Sequence, residues 1–297
     1  MADWDGRGLP PAAAARMARF QAGGARTSLL SVPDAVPLAG VGLSPVGEAM
    51  GCMVGHVGWQ GFGGCGYSAT GRGLTVGTGR HAAGLAVTID RNRYAGYKPY
   101  VDALYRGYDT ALARMVTEAQ AMGADGVVGV RLSMEHLGSD NREFVALGTA
   151  VRGAGREHPR QPFVTDLAGA DVAKLLAAGW VPASIAIGIS VAVRHDDAWT
   201  QGQASRWSGN TEVYGYTELV TQVRADARAR FTEHAARTGA DAAIVSSMGL
   251  HVWAREPSDG HRDHVAESTA FGNTLARFAR RAAPTPATLT VLPLRRA

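Results

Sequence analysis

Apolar residues recur at helical spacing twice along this chain. Leu104, Tyr108, Ala111, Leu112, Met115, Ala119 and Met122 share one face of a helix predicted near 98–122. Leu219, Val220, Val223, Ala227, Phe231 and Ala235 repeat that face further on. Each helix runs into a glycine, Gly123 or Gly239, where a left-handed stop belongs. Beyond each stop the period shortens to the alternation of a strand. Val128, Val130, Leu132 and Met134 alternate in the first case; Ile244, Ser246, Met248, Leu250 and Val252 mark the second. A further strand carries Val145, Leu147, Thr149 and Val151, and earlier strands are predicted near 46–54 and 184–193. The pattern is α+β: strand, long helix and two-stranded hairpin, written twice. One helix covers only one face of such a sheet, so the other face is either covered by something else or is an interface.

The two patterns are diverged copies of one unit, because matching residues recur in the same order. Gly42, Pro45, Ala49, Gly51 and Val54 are matched by Gly179, Pro182, Ala186, Gly188 and Val191. Gly123, Ala124 and Asp125 are matched by Gly239, Ala240 and Asp241, and the strand 146–151 aligns with 270–275. The predicted organisation is an N-terminal arm with a short helix over 1–26, a first repeat over 27–152 and a linker over 153–162. A second repeat over 163–281 and an extended tail over 282–297 complete it. The first repeat holds a Gly-rich insertion at about 55–84, whose Trp59, Phe62 and Tyr67 suit packing against a neighbour. The tail is apolar and follows a Pro-rich joint, which suits either addition to a sheet edge or a frayed end.

Composition narrows the class of protein. Of 297 residues, 46% are hydrophobic and 19% charged, which is a globular balance, and the formal charge of +4 is too small to demand a nucleic-acid partner. No run is apolar enough for a membrane span, the first residues do not resemble a secretory signal, and two cysteines imply no disulfide framework. The expectation is a cytoplasmic protein.

The segments around the helix stop resemble a known family. Ala111, Leu112, Ala113, Arg114 and Met115, then Glu118 and Ala119, the run from Gly123 to Arg131, and Gly148 to Val151 are similar to the YbjQ-like family, which carries a heavy-metal-binding label. Tyr216, Thr217, Glu218 and Leu219 match the start of that family's helix, of which Tyr100 keeps the aromatic. The resemblance covers about 27–152 and, more weakly, 163–278; Val245, Ser246, Ser247 and Met248 depart from its pattern. It implies dodecin-like units that assemble into a five-membered ring with sheets continuing between subunits. It implies no ligand set that transfers residue by residue.

Candidate chemistry is sparse. Cys52 and Cys65, with His56 between them, are soft-metal ligand types, although a free cysteine in a strand ordinarily acts as a small hydrophobe. His261 and His264, with His251 and Glu267 nearby, could gather around Zn, Cu or Ni; a solvated hairpin explains them equally well. His195, Asp196 and Asp197 read as a loop, and Asp125 and Asp241 as turn residues capping their own backbone. Gly61 to Gly66 and Gly77 to Ala82 fit dinucleotide-type glycine spacing without the helix that must follow. The Arg-rich end (Arg277, Arg280, Arg281, Arg295 and Arg296) suits acidic partners or plain solvation. No catalytic motif is present. The leading expectation is a non-enzymatic, self-assembling homo-oligomer, with pentamers favoured. The alternative is a metal- or ligand-binding protein with sites in the ring, and a third is an enzyme whose site forms between subunits. A protein partner reached through the tail is a further expectation.

Overall fold

The computed structural model describes residues 4, 8–23, 27–58, 87–89, 98–138, 140–196, 198–205, 207–258 and 261–278. In chain order the elements are α1 (Pro11–Gln21), α2 (Val32–Gly40), β1 (Leu43–His56), β2 (Val87–Ile89), α3 (Lys98–Ala121), β3 (Gly126–His136) and β4 (Asn141–Gly153). They continue as β5 (Phe163–Val164), α4 (Gly169–Ala177), β6 (Trp180–His195), α5 (Ala198–Gln203), α6 (Tyr214–Arg237), β7 (Ala242–Ser258) and β8 (His261–Arg277). The strands form two four-stranded sheets, ordered β1-β4-β3-β5 and β2-β6-β8-β7.

The tandem repeat is visible in both topology and detail. β1-β4-β3 and β6-β8-β7 have the same order and the same antiparallel sense. Register shifts fall at Pro45/Gly47 and again at Pro182/Ser184, at Val128/Arg131 and again at Val245/Ser247. The second pair of bulges turns Val128 and Ile244 to the opposite face from Leu132 and Met248, where strict alternation predicts one face. α3 lies on β1, and α6 lies on β6, so closely that only glycine fits at the crossing. A Cβ on Gly51 would stand 2.0 Å from the Ala111 carbonyl oxygen, and one on Gly188 would stand 2.1 Å from that of Ala227. Gly123 and Gly239 end the helices at φ +70, as their spacing predicts.

Two further features differ from the expectations. Each repeat opens with a short helix before its first strand, α2 or α4, and the helical period does not announce either. Pro33 and Pro37 punctuate α2; proline at the first turn costs little because those N–H groups lack helical partners in any case. Asp125 and Asp241 do not cap their own turns. Their Oδ2 atoms accept from Gly153 N at 2.7 Å and Arg277 N at 2.8 Å, tying each helix exit to the end of the neighbouring strand.

The core joins the copies. Gly188 faces α6, so Ile185, Ile187, Ile189 and Val191 face the other way and pack with Val101, Leu104, Tyr108, Val127 and Val130 of the first copy. The uncovered sheet face foreseen from the sequence is, in the second copy, covered by the first. α1 lies against α3, where Arg16 forms a double hydrogen bond at 2.6 Å with the fully buried Glu118. Glu118 also accepts from Met50 N at 2.9 Å.

Candidate assembly interface

The junction between the copies begins where the second copy begins. β5 adds in parallel to the edge of β3, with Phe163 opposite Gly126 and Val164 opposite Val127. Thr165 N donates to Val127 O, Val130 N to Thr165 O and Gly129 N to Leu167 O, each at 3.0 Å. Val128 is fully buried under Leu38 and Val172, with Phe163, Leu167 and Leu176 packed around them. α4 closes on α2 because Gly169 has no side chain: a Cβ there would stand 2.6 Å from Leu38 Cδ1. The same segment hangs on its own sheet, since Asn273 Oδ1 accepts from Thr165 Oγ1 at 2.7 Å and from Asp166 N at 3.0 Å.

Polar groups are also locked into the junction. Tyr100 donates to Glu267 Oε2 at 2.6 Å and accepts from Arg142 at 2.5 Å, and all three residues are buried. Burial and the Glu267 carboxylate push the Tyr100 phenol well above its ordinary range, so it stays a neutral donor. Tyr108 stands edge-on to Phe144 of the first copy and Phe271 of the second.

Among the described residues, apolar side chains on β7 and on α2 lack such cover. Ile244, Val245, Met248 and Val252 on β7 are 39%, 45%, 39% and 42% exposed, whereas Val127 and Val128 on the matching β3 are fully buried. On α2, Val32 is 75% and Val36 65% exposed; their counterparts on α4 are Gly169, which is buried, and Ala173, which is 6% exposed. Ile244 and the two α2 valines are counterparts of residues buried inside the chain, Val128, Gly169 and Ala173. Val245, Met248 and Val252 lie on the other face of β7, where the matching Leu132 is half-buried and His136 exposed. The alternation on β7 was readable in the sequence, but its exposure was not, because identical periodicity produced buried residues on β3.

The candidate metal ligands among the described residues are not brought together. His251 stacks on Trp253, with ring centroids 5.0 Å apart. His264 Nδ1 pairs with Asp196 Oδ1 at 2.9 Å, Glu267 is engaged by Tyr100, and Cys52 is a half-buried free thiol on β1. Cys65, the side chain of His261, both glycine motifs, the Gly-rich insertion and the tail lie outside the described residues. Among the described residues no three His, Cys, Asp or Glu side chains gather as a metal ion requires. His195, expected in a loop, instead ends β6, and Asp196 follows it directly; the two residues join adjacent histidine–aspartate hydrogen bonds. His195 Nδ1 lies 2.7 Å from Asp263 Oδ1, and Asp196, itself buried, holds His264 and also accepts from Tyr216 at 3.1 Å. Burial and Asp196 push the Tyr216 phenol up to about 12. No helix among the described residues is long and apolar enough to cross a membrane.

Fold and junction together define a tandem α+β protein whose two copies form one body. A family model described as "Putative heavy-metal-binding" (YbjQ_1) matches residues 71–154. The encapsulin nanocompartment protein Rv1762c of Mycobacterium tuberculosis is 33% identical over 251 residues, covering 82% of each chain. Single-unit relatives match shorter stretches. A UPF0145 protein of Halorubrum lacusprofundi is 42% identical over 55 residues, 18% of this chain and 53% of its own. The UPF0145 protein VP1283 of Vibrio parahaemolyticus is 38% identical over 72 residues, 22% of this chain and 69% of its own. The chain belongs to the YbjQ family, as a member with two tandem copies.

Proposed function

We propose that this protein is a non-enzymatic, self-assembling homo-oligomer, its repeats at 27–152 and 163–281 serving as the building units. The observation that carries this reading is the exposure of Ile244 on β7 and of Val32 and Val36 on α2, whose counterparts Val128, Gly169 and Ala173 are buried between the copies of one chain. An assembled state removes both surfaces from water. The name of the Mycobacterium tuberculosis relative, a nanocompartment protein, supports the same reading over most of the chain. A ring with five-fold symmetry, closing further into a shell, is the assembly we favour, in the cytoplasm. Native mass spectrometry is expected to give a multiple of the 31.1 kDa chain, and electron micrographs of the purified protein to give closed particles. A monomer at micromolar concentration overturns the proposal.

The family description favours a second reading, metal binding by His251, His261, His264, Cys52 and Cys65. It requires ligands to be collected from neighbouring chains or from the residues beyond those described. Titration of the assembled protein with zinc, copper or nickel is expected under this reading to show saturable uptake that His261→Ala/His264→Ala abolishes. Absence of uptake removes it.

A further inference from the structure

The two uncovered surfaces belong to each other, because the chain already contains a buried version of their contact. We propose that β7 and α4 of one chain receive the segment 27–40 of a second copy, Thr27 to Ser31 adding in parallel to the edge of β7 and α2 seating against α4. The inference rests on the self-assembly reading and specifies its interface.

The correspondence follows the spacing that relates Gly51 to Gly188, which also relates Thr27 to Val164 and Ser28 to Thr165. The spacing that relates Gly123 to Gly239 relates Val127 to Ala243. Inside the chain Val164 lies opposite Val127, so Thr27 of the second copy lies opposite Ala243. Ser28 N then donates to the Ala243 carbonyl, as Thr165 N does to that of Val127. The incoming segment is already held in the required place. Leu29 N donates to Thr149 Oγ1 at 3.0 Å, the counterpart of Asp166 N on Asn273. Thr27, Ser28 and Leu29 are exposed, and β7 is the outermost strand of its sheet among the described residues. A strand edge beside exposed apolar side chains is a template for another strand.

The contact between chains is not a replica of the one within. Gly129 has φ +61, a conformation that a β-branched residue such as Val245 at the matching place resists, so strand addition stops there, and Ile244, the counterpart of Val128, is the side chain that the seated α2 covers. Val32 stands where Gly169 permits close approach, so α2 of the second copy packs at wider separation, its Val32 and Val36 filling the space against Leu175. Pro33 replaces the donor Ala170, whose N–H bonds Asp34 Oδ1 at 3.3 Å inside the chain. One polar contact is therefore exchanged for apolar ones.

This interface is head-to-tail. Each chain offers one inserting surface and one receiving surface, so successive chains continue the copy-one, copy-two alternation until the ring closes. Val36→Arg disables the inserting surface and Ile244→Arg the receiving one. Both positions are exposed, so each variant is expected to keep the wild-type circular dichroism and urea midpoint. Each alone is expected to be monomeric by native mass. Mixed, they are expected to form a 1:1 dimer that grows no further, since each retains the surface the other lacks. Thr27→Cys/Ala243→Cys, in a background of Cys52→Ser and Cys65→Ser, is expected to give a reducible ladder of chain multimers. Variants that assemble like wild type, assembly without the ladder, or a mixture that stays monomeric would overturn this interface and leave self-assembly standing. A monomeric wild type overturns both.

Discussion

Gly188→Ala is expected to destabilise the chain by about 3 kcal/mol or more, at the upper end of the usual cost of overpacking. The added Cβ would stand 2.1 Å from Ala227 O and 2.5 Å from Phe231 N, both backbone atoms of α6. No rotamer change relieves a clash between one backbone and another, so α6 must lift from β6. Lifting it opens the contacts of Phe231, Ala235, Ala186 and Ala270, which form one packed cluster. Gly51→Ala makes the same test in the first copy, against Ala111 O and Met115 N at 2.0 and 2.5 Å. Gly202→Ala is the control, since no atom lies within 4 Å of its added Cβ. Urea denaturation of the three variants checks the expectation. A Gly188→Ala midpoint equal to that of Gly202→Ala would show that the helix does not cross the strand at this point.

Glu267→Ala is expected to cost about 3–5 kcal/mol, the range for breaking a buried ion pair from one side. Glu267 lies 3.7 Å from Arg142, and both are less than a tenth exposed. Removing the carboxylate leaves a buried guanidinium without its counter-charge and the Tyr100 hydroxyl without its acceptor. Glu267→Gln keeps an acceptor for Tyr100 and loses only the charge, so its cost is expected to be smaller. Replacing both charges, as Arg142→Met/Glu267→Met, is expected to recover much of the loss, because an apolar pair of similar volume carries no desolvation penalty. The denaturation midpoints of this series give the coupling between the copies, since Arg142 stands on β4 and Glu267 on β8. Equal destabilisation by Ala and by the double replacement would show that packing, and not charge, matters at this position.

Much of each repeat was legible in the chain because local rules wrote it. The long helices follow the period of Leu104 to Met122 and of Leu219 to Ala235, and their ends follow Gly123 and Gly239. The hairpins exist where the alternation places them, but a bulge in each turns Val128 and Ile244 to the opposite face from Leu132 and Met248, which strict alternation does not announce. α2 and α4 were not legible, because nine residues with Pro33 and Pro37 in one of them give too short and too interrupted a period. The hydrogen-bonded pairs of His195 with Asp263 and His264 with Asp196 were hidden for a different reason. β6 and β8 bring them side by side from positions distant in sequence.

The sequence alone determined the duplication, the α+β unit and its strand–helix–hairpin order, since each follows from spacing within a few turns of chain. Only the tertiary structure decided which copy of each surface is buried. Val128 and Ile244 have the same neighbours in sequence pattern, yet Val128 is covered by the second copy and Ile244 remains 39% exposed. Periodicity reports that a residue faces one side of a sheet. What lies on that side depends on contacts between segments far apart in the chain.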